Sequence, residues 1–387
     1  MTKRKKDMEE PFTIKEVKED EIIIEIKGYG EFKVRSDLER LSGIGPVTKK
    51  KLINLGIYTV RQLALFNDTE LLELITRSNV CISEETILKA LDQATSQYSN
   101  IVLTAKELKR YREVKHRIYA HDKIIDDVLQ FATERTYCFT GEYGSGKTEL
   151  CVHMAVSSQF KPKDGSQKLE FTDTKVIYLD TEGALGPKHL DKMQAIAARL
   201  LEVTELPQGT SKEEILDKVL SNILVIKCRQ AYAFKQSLKR YIPPIIEAAN
   251  VKLIIVDSII RLFRAQYPGR RELSTRQQEL GYCIDLLGRI AATYQTCVLM
   301  TNQIYTRPVT APYSTVSEGS QKDMTGGSPV KHYVTEHWVI EKPHSKNEEL
   351  EGYRYLIALD VPGERKGLAV KFRITDSGIV GIRVERK

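Results

Sequence analysis

Residues 141–148 read Gly-Glu-Tyr-Gly-Ser-Gly-Lys-Thr, between the apolar run Thr136-Tyr137-Cys138-Phe139-Thr140 and the helical stretch Glu149-Leu150-Cys151-Val152-His153-Met154. The spacing fits G-x-x-x-x-G-K-[ST] at every fixed position, in the strand–loop–helix context that this motif needs. Glycines let backbone N–H groups wrap phosphate oxygens, and a helix N-terminus adds a favourable dipole. The expected cradle is Gly141, Glu142, Tyr143, Gly144, Ser145, Gly146, Lys147 and Thr148, with Glu149 next on the helix. Lys147 would reach the β- and γ-phosphates of ATP, and the Thr148 hydroxyl would ligate Mg²⁺. A purely structural turn is the competing reading, and the flanking pattern disfavours it.

Working outward, Leu253-Ile254-Ile255-Val256-Asp257 places a carboxylate at the end of a buried strand. Ligands in open α/β sheets bind at that edge, so Asp257 is expected to hold the Mg²⁺ shell through water. Val176-Ile177-Tyr178-Leu179-Asp180-Thr181-Glu182-Gly183 is another strand running into an acidic turn. Glu182 could polarise a water that attacks the γ-phosphate; a solvated loop glutamate is the alternative. Gln303 follows the strand Cys297–Met300 and could sense a γ-phosphate. The irregular segment 304–331 carries Tyr305, Arg307, Tyr313, Lys322 and Lys331, a composition suited to a single nucleic-acid strand. A second basic loop holds Arg264, Arg270, Arg271 and Arg276 around Pro268-Gly269; alone it reads as a solvated turn.

Short apolar strands alternate with helical spacing from 116 to 387, which predicts an α/β domain with a mainly parallel central sheet. Residues 38–94 predict a small all-α domain. Gly43-Ile44-Gly45 followed by Lys49, Lys50 and Lys51 looks like a helix-hairpin-helix, with Gly43, Gly45 and Lys49 contacting DNA phosphates. Residues 95–115 read as a linker. Residues 1–37 form an N-terminal extension, charge-dense and mobile over 1–20, with a β-hairpin over 21–35.

Composition sets bounds on this reading. The 387 residues predict two or three domains, and a net charge of +7 permits an anionic partner without requiring one. No apolar run reaches a membrane span, and the first residues lack the apolar stretch of a secretory signal. The six cysteines form no CxxC, which argues against a disulfide framework or zinc site.

The order of these pieces resembles the archaeal RadA recombinases, relatives of bacterial RecA. GEYGSGKTELC, VIYLDTEG, FRAQYPGRRELSTRQQEL, TNQ, a Gly-Gly pair before His332 and the late Asp360-Val361-Pro362 succeed one another. The likeness extends over nearly everything beyond residue 37. It implies a RecA-like P-loop core on residues 116–387 that binds ATP and Mg²⁺ between protomers of a filament or ring. It also implies a DNA-dependent ATPase that pairs single-stranded with double-stranded DNA and exchanges strands in recombination and repair. The roles carried over are Lys147, Glu182 and Gln303 in catalysis, and Thr148 and Asp257 at the metal. His332, Asp360 and Pro362 would stand near nucleotide, and Arg264, Arg270, Arg276 and Arg307 at DNA. An intracellular protein, associated with the nucleoid if archaeal, with mediator proteins as further partners and no membrane, is the corresponding setting.

The chain departs from the family in places. The family's Phe-x-x-Ala polymerisation element aligns with Val102-Leu103-Thr104-Ala105, so an aromatic anchor is replaced. Ala184-Leu185-Gly186-Pro187 stands for Thr-Phe-Arg-Pro, and His189 for an arginine near the adenine. An accessory paralogue that binds ATP and DNA and modulates another recombinase's filament is the alternative reading. A small-molecule kinase would need neither the helical domain nor the basic loops.

Overall fold

A computed structural model describes residues 12–18, 20–26, 30–98, 103–113, 116–164, 166, 168–269, 271–306, 322–324 and 333–386. Two compact units result: Met1–Tyr111 with Lys235–Asn250, and Arg112–Phe234 with Val251–Lys387.

In the first unit, β1 (Phe12–Lys18), β2 (Glu21–Ile26) and β3 (Gly30–Arg35) form an antiparallel sheet in that order. The β2–β3 pair occupies the expected hairpin. β1 lies within the stretch read as mobile. Its charged side chains find partners on neighbouring strands, as where Lys15 Nζ meets Glu31 Oε1 at 2.8 Å and Glu25 Oε1 at 3.2 Å. Ile22, Ile24 and Ile26 turn inward.

Helices follow at Pro46–Asn54, Val60–Leu63, Asp68–Arg77 and Glu84–Tyr98. Pro46 starts its helix at a position where a missing N–H costs nothing, and Asn67 with Glu70 closes a capping box. Leu38, Leu52, Ile57, Leu63, Leu71 and Ile87 fill the core beneath them. The segment Lys235–Asn250, placed by chain order in the C-terminal domain, packs in this unit instead. Gln62 Nε2 donates to Lys239 O at 2.9 Å, and Thr59 Oγ1 donates to Glu247 Oε1 at 2.8 Å. Lys239 also pairs with Glu70 and lies over the Phe66 ring.

The strands of the second unit begin with β4 (Arg135–Gly141), β5 (Phe160–Pro162), β6 (Leu169–Phe171), β7 (Lys175–Asp180), β8 (Thr204–Glu205), β9 (Ile223–Lys227), β10 (Val251–Asp257) and β11 (Cys297–Thr306), of which β5, β6 and β8 form a small sheet of their own. They end with β12 (Lys322–Met324), β13 (Glu336–Glu341), β14 (Tyr353–Asp360), β15 (Leu368–Thr375) and β16 (Gly378–Arg386). The ten-stranded sheet runs β16-β15-β14-β13-β4-β11-β10-β7-β9, with β12 on β11. Pairing is parallel from β13 to β9 and antiparallel through the β13–β16 meander. Apolar runs such as Leu253–Val256 are buried on both faces, as parallel strands covered by helices must be. Tyr137, Phe139, Tyr178 and Trp338 anchor the core. The parallel strands β4, β7, β10 and β11 therefore deliver their carboxyl ends to one edge. No helix among the described residues is long and apolar enough to cross a membrane.

Candidate functional site

The loop after β4 has little room for side chains. A Cβ at Gly141 would collide with Ser145 Oγ and lie 2.6 Å from Ile340 O. Gly144 and Gly146 adopt φ of +71° and +101°, where glycine alone is unstrained. Gly146 caps the helix Lys147–Ser157 without a side-chain acceptor. The first-turn amides of that helix have no intrahelical partner, and they face the loop as a ready anion cradle.

Lys147 is 9% exposed, and its ammonium donates to Gly141 O at 2.9 Å and Glu142 O at 2.8 Å. Burial pulls its pKa down, opposed by the carboxylates of Asp257 and Glu182. Both acids therefore stand within electrostatic reach of one buried cation. Thr148 Oγ1 donates to Asp257 Oδ2 at 2.8 Å. Asp257 also accepts from Tyr178 Oη at 3.0 Å and Thr301 Oγ1 at 2.5 Å. Its burial pushes its pKa up, against the pull of those three hydroxyls. A hydroxyl and a carboxylate side by side are hard oxygen donors, the set that suits Mg²⁺ completed by water and phosphate. The residues present thus fit a magnesium–nucleotide.

The turn after β7 is stitched to the end of β10. Thr181 N and Glu182 N both donate to Asp257 O, and Asp180 Oδ1 accepts from Gly183 N at 2.7 Å and Ala184 N at 3.1 Å. This holds the Glu182 carboxylate in place. Its Oε1 accepts from Ser258 Oγ at 2.6 Å and from Gln303 Nε2 at 2.9 Å. Lys147, Thr148, Asp257, Glu182 and Gln303, called from sequence, thus meet at one sheet edge. Tyr178, Thr301 and Ser258 were missed. Each is a hydroxyl on or beside a strand already singled out, so a search for donors next to Asp257 and Glu182 could have found them.

Other sequence-selected residues fall elsewhere. Glu149 is engaged by Lys192 Nζ at 2.6 Å, and the Tyr143 ring is 90% exposed. Asp360 ends β14 and Pro362 follows it, both exposed. That segment is anchored by Arg365, which forms a bidentate pair with buried Glu336 at 3.0 and 2.6 Å. Arg264 and Arg276 line a cavity with Glu182 and Gln303, joined by Arg261, and Arg271 is exposed nearby. Arg261 was overlooked although it sits three residues before Arg264 on the helix Arg261–Gln266, a spacing that puts both on one face. Val102, Arg270, Arg307 and His332 lie outside the described residues.

In the first unit, Gly43 has φ of +86° and Gly45 caps the helix that carries the lysines. Lys49 requires a correction. It is 5% exposed, and its ammonium is held by Asp20 Oδ1 at 2.5 Å and Glu39 Oε1 at 3.5 Å. A cation buried and neutralised in this way is not displayed to a DNA phosphate. Lys51 donates to Cys81 O, whereas Lys50 is exposed.

A glycine loop closing on a buried lysine, with an acidic strand end opposite, defines a P-loop protein with a RecA-like α/β core. The Rad51 family model matches residues 112–379. The chain belongs to that family. The DNA repair and recombination protein RadA of Ignicoccus hospitalis is 30% identical to it, over 90% of this chain and 97% of its own. The RadA of Methanococcus maripaludis is 29% identical over 89% and 98%. The RadA of Cenarchaeum symbiosum is 33% identical over 70% and 64%.

Proposed function

We propose that this chain is a DNA-dependent ATPase of DNA repair and recombination that assembles on single-stranded DNA and exchanges it with homologous duplex. The observation that carries the reading is the Glu182 carboxylate fixed between Ser258 and Gln303, beside the Lys147–Thr148–Asp257 group. The first-turn amides and Lys147 would bind the triphosphate of ATP. Thr148 and Asp257 would hold Mg²⁺, which neutralises phosphate charge when bound. Glu182 would orient the attacking water and accept its proton. Gln303 would exchange its bond to Glu182 for one to the γ-phosphate and so report occupancy along β11 into residues 304–331.

Arg264, Arg270, Arg271, Arg276 and Arg307 would neutralise DNA phosphates without reading sequence, as homology search by base pairing requires. His332 is assigned to the γ-phosphate relay. Asp360 and Pro362 are assigned to a neighbouring protomer's nucleotide. Residues 38–94 would act as a helix-hairpin-helix module through the Gly43–Gly45 turn, without Lys49. The core is assigned to 116–387 apart from 235–250, and the linker to 95–115. The setting would be the cytoplasm.

Val102 in place of an aromatic anchor favours a second reading, an accessory paralogue that caps another recombinase's filament. Sizing the purified protein with ATP, Mg²⁺ and single-stranded DNA separates them. Large assemblies that pair homologous duplex support the recombinase; a particle that stays monomeric on DNA contradicts it.

A further inference from the structure

A cavity of about 370 Å³ lies within the first unit, bounded by Thr13 and Ile14 of β1, by Asn54 and Gly56 at the end of the helix Pro46–Asn54, and by Arg240. Among the described residues Arg240 is the one charged side chain that lines it. Among the same residues the Arg240 Nε is a buried donor with no acceptor. A buried N–H without a partner is costly, and an anion would remove that cost.

The guanidinium is held ready. Arg240 belongs to a π-turn, Ser237–Tyr241, a rare geometry that occurs frequently at functional sites. A Cβ at Gly56 would stand 2.8 Å from Arg240 Nε, so the backbone passes close against the arginine, at a φ of +80° that suits glycine. Gln62 Nε2 clips both walls together, donating to Gly56 O at 2.7 Å and to Lys239 O at 2.9 Å. The negative end of the helix Pro46–Asn54 accounts for a cation at this place. It does not account for the unfilled donor. The last helical carbonyls already accept from the Leu55, Gly56 and Ile57 amides.

That helix end also selects the ligand. One guanidinium beside a negative dipole balances one negative charge, not the two of a phosphate dianion. A carboxylate carries one charge, and its plane matches two parallel bonds from Nε and a neighbouring Nη. The strand supplies the rest. Thr13 and Ile14 are consecutive in β1, so their side chains point to opposite faces, and a cavity that meets both reaches the strand's edge. β1 is the outer strand of its sheet and pairs only with β2 among the described residues. Such an edge can accept an added strand.

We propose that this cavity binds the carboxylate of a glutamate or aspartate side chain on an extended partner peptide lying along β1, with Arg240 as the receptor. Tyr58 and Tyr241, which also line the cavity, would flank the stem of that side chain. The site is independent of the ATPase reading, since it lies wholly in the first unit.

The test follows the Arg240 Nε–H resonance of the full chain carrying isotope-labelled arginine, assigned by its absence from Arg240→Lys. Four probes are titrated at constant ionic strength: N-acetylglutamate methylamide, its glutamine counterpart, inorganic phosphate, and a capped hexapeptide of alternating threonine and glutamate. The capped glutamate should shift the resonance saturably, and the glutamine analogue should not. The hexapeptide should bind at least about tenfold more tightly, because backbone bonds to β1 add to the ion pair. Arg240→Gln, checked for an unchanged melting temperature, should lose at least about tenfold of the hexapeptide affinity. The wild-type titration decides even where that variant unfolds. A resonance that no carboxylate moves, or that phosphate moves in preference, would overturn the proposal. A hexapeptide that binds no more tightly than the capped glutamate would overturn the peptide as the source of the carboxylate.

Discussion

Gln303 Nε2 donates to Glu182 Oε1 at 2.9 Å, joining β11 to the turn after β7 across 121 residues of sequence. The bond uses the donor that a γ-phosphate oxygen would attract, so in the proposed function a nucleotide would draw this amide away from Glu182. Gln303→Ala removes the relay while Ser258 still holds the glutamate. DNA-stimulated ATP turnover should fall about tenfold or more, with affinity for ADP changed less than twofold, since removing one positioned donor costs on this scale or above. Steady-state turnover beside ADP titration checks it, and unimpaired DNA stimulation would refute the relay.

Lys49 gives a prediction opposite to the sequence expectation. With its ammonium buried against Asp20 and Glu39, Lys49→Met removes no exposed charge. Removing one member of an ion pair is costly where the other stays buried, but Asp20 and Glu39 are half solvated and water can take over their charge. Single-stranded DNA affinity should stay within about twofold of wild type. An affinity drop near tenfold, measured by anisotropy at matched salt, would return Lys49 to the DNA surface.

Glu336 is fully buried among Arg365, Arg135 and the Trp338 N–H. Glu336→Leu strands the Arg365 guanidinium and should cost about 3–5 kcal/mol of stability. The double variant with Arg365→Met should recover most of it, because the uncompensated charge has gone. Denaturant unfolding of the four proteins measures the coupling. Additive losses would show that the pair is not the unit.

Burial lowers the His121 pKa to about 4, although its ring bonds the Phe160 and Ser157 carbonyls. Between pH 6.5 and 4 the unfolded chain binds a proton that the folded chain refuses. This contribution to stability is complete above about pH 6.5 and is lost as pH falls toward 4, by about 3 kcal/mol at most. Asp126, raised to about 6 by burial, acts in the opposite sense over much of the same window. His121→Asn tolerates the positive φ of +56° at this position. Its stability should therefore decline less than wild type on acidification. Equal slopes for the two proteins would exclude His121 as the titrating group.

The P-loop was legible because its chemistry is local: glycine spacing, lysine and hydroxyl lie within eight residues. Asp257 and Glu182 were legible because apolar strands that end in acids are local too. Partnerships were not. Lys49 reads as one of three solvated lysines, and nothing nearby in sequence reveals Asp20, 29 residues upstream, as its partner. The strand β1 was hidden by charge density, since its pairing is ionic across strands. Residues 235–250 lie between two core strands in chain order but pack against Gln62 and Thr59, contacts with no periodic signature. Tyr178 and Thr301 look like ordinary strand residues until folding points both hydroxyls at Asp257.

In the proposed function, one sheet edge hydrolyses ATP under the control of DNA. Its most direct measurement is phosphate release by the full chain with Mg²⁺ and ATP, with and without single-stranded DNA, beside Lys147→Ala. DNA should raise turnover severalfold, and Lys147→Ala should lose at least ~100-fold as the phosphate clamp disappears. Turnover indifferent to DNA, or surviving without Lys147, would contradict it.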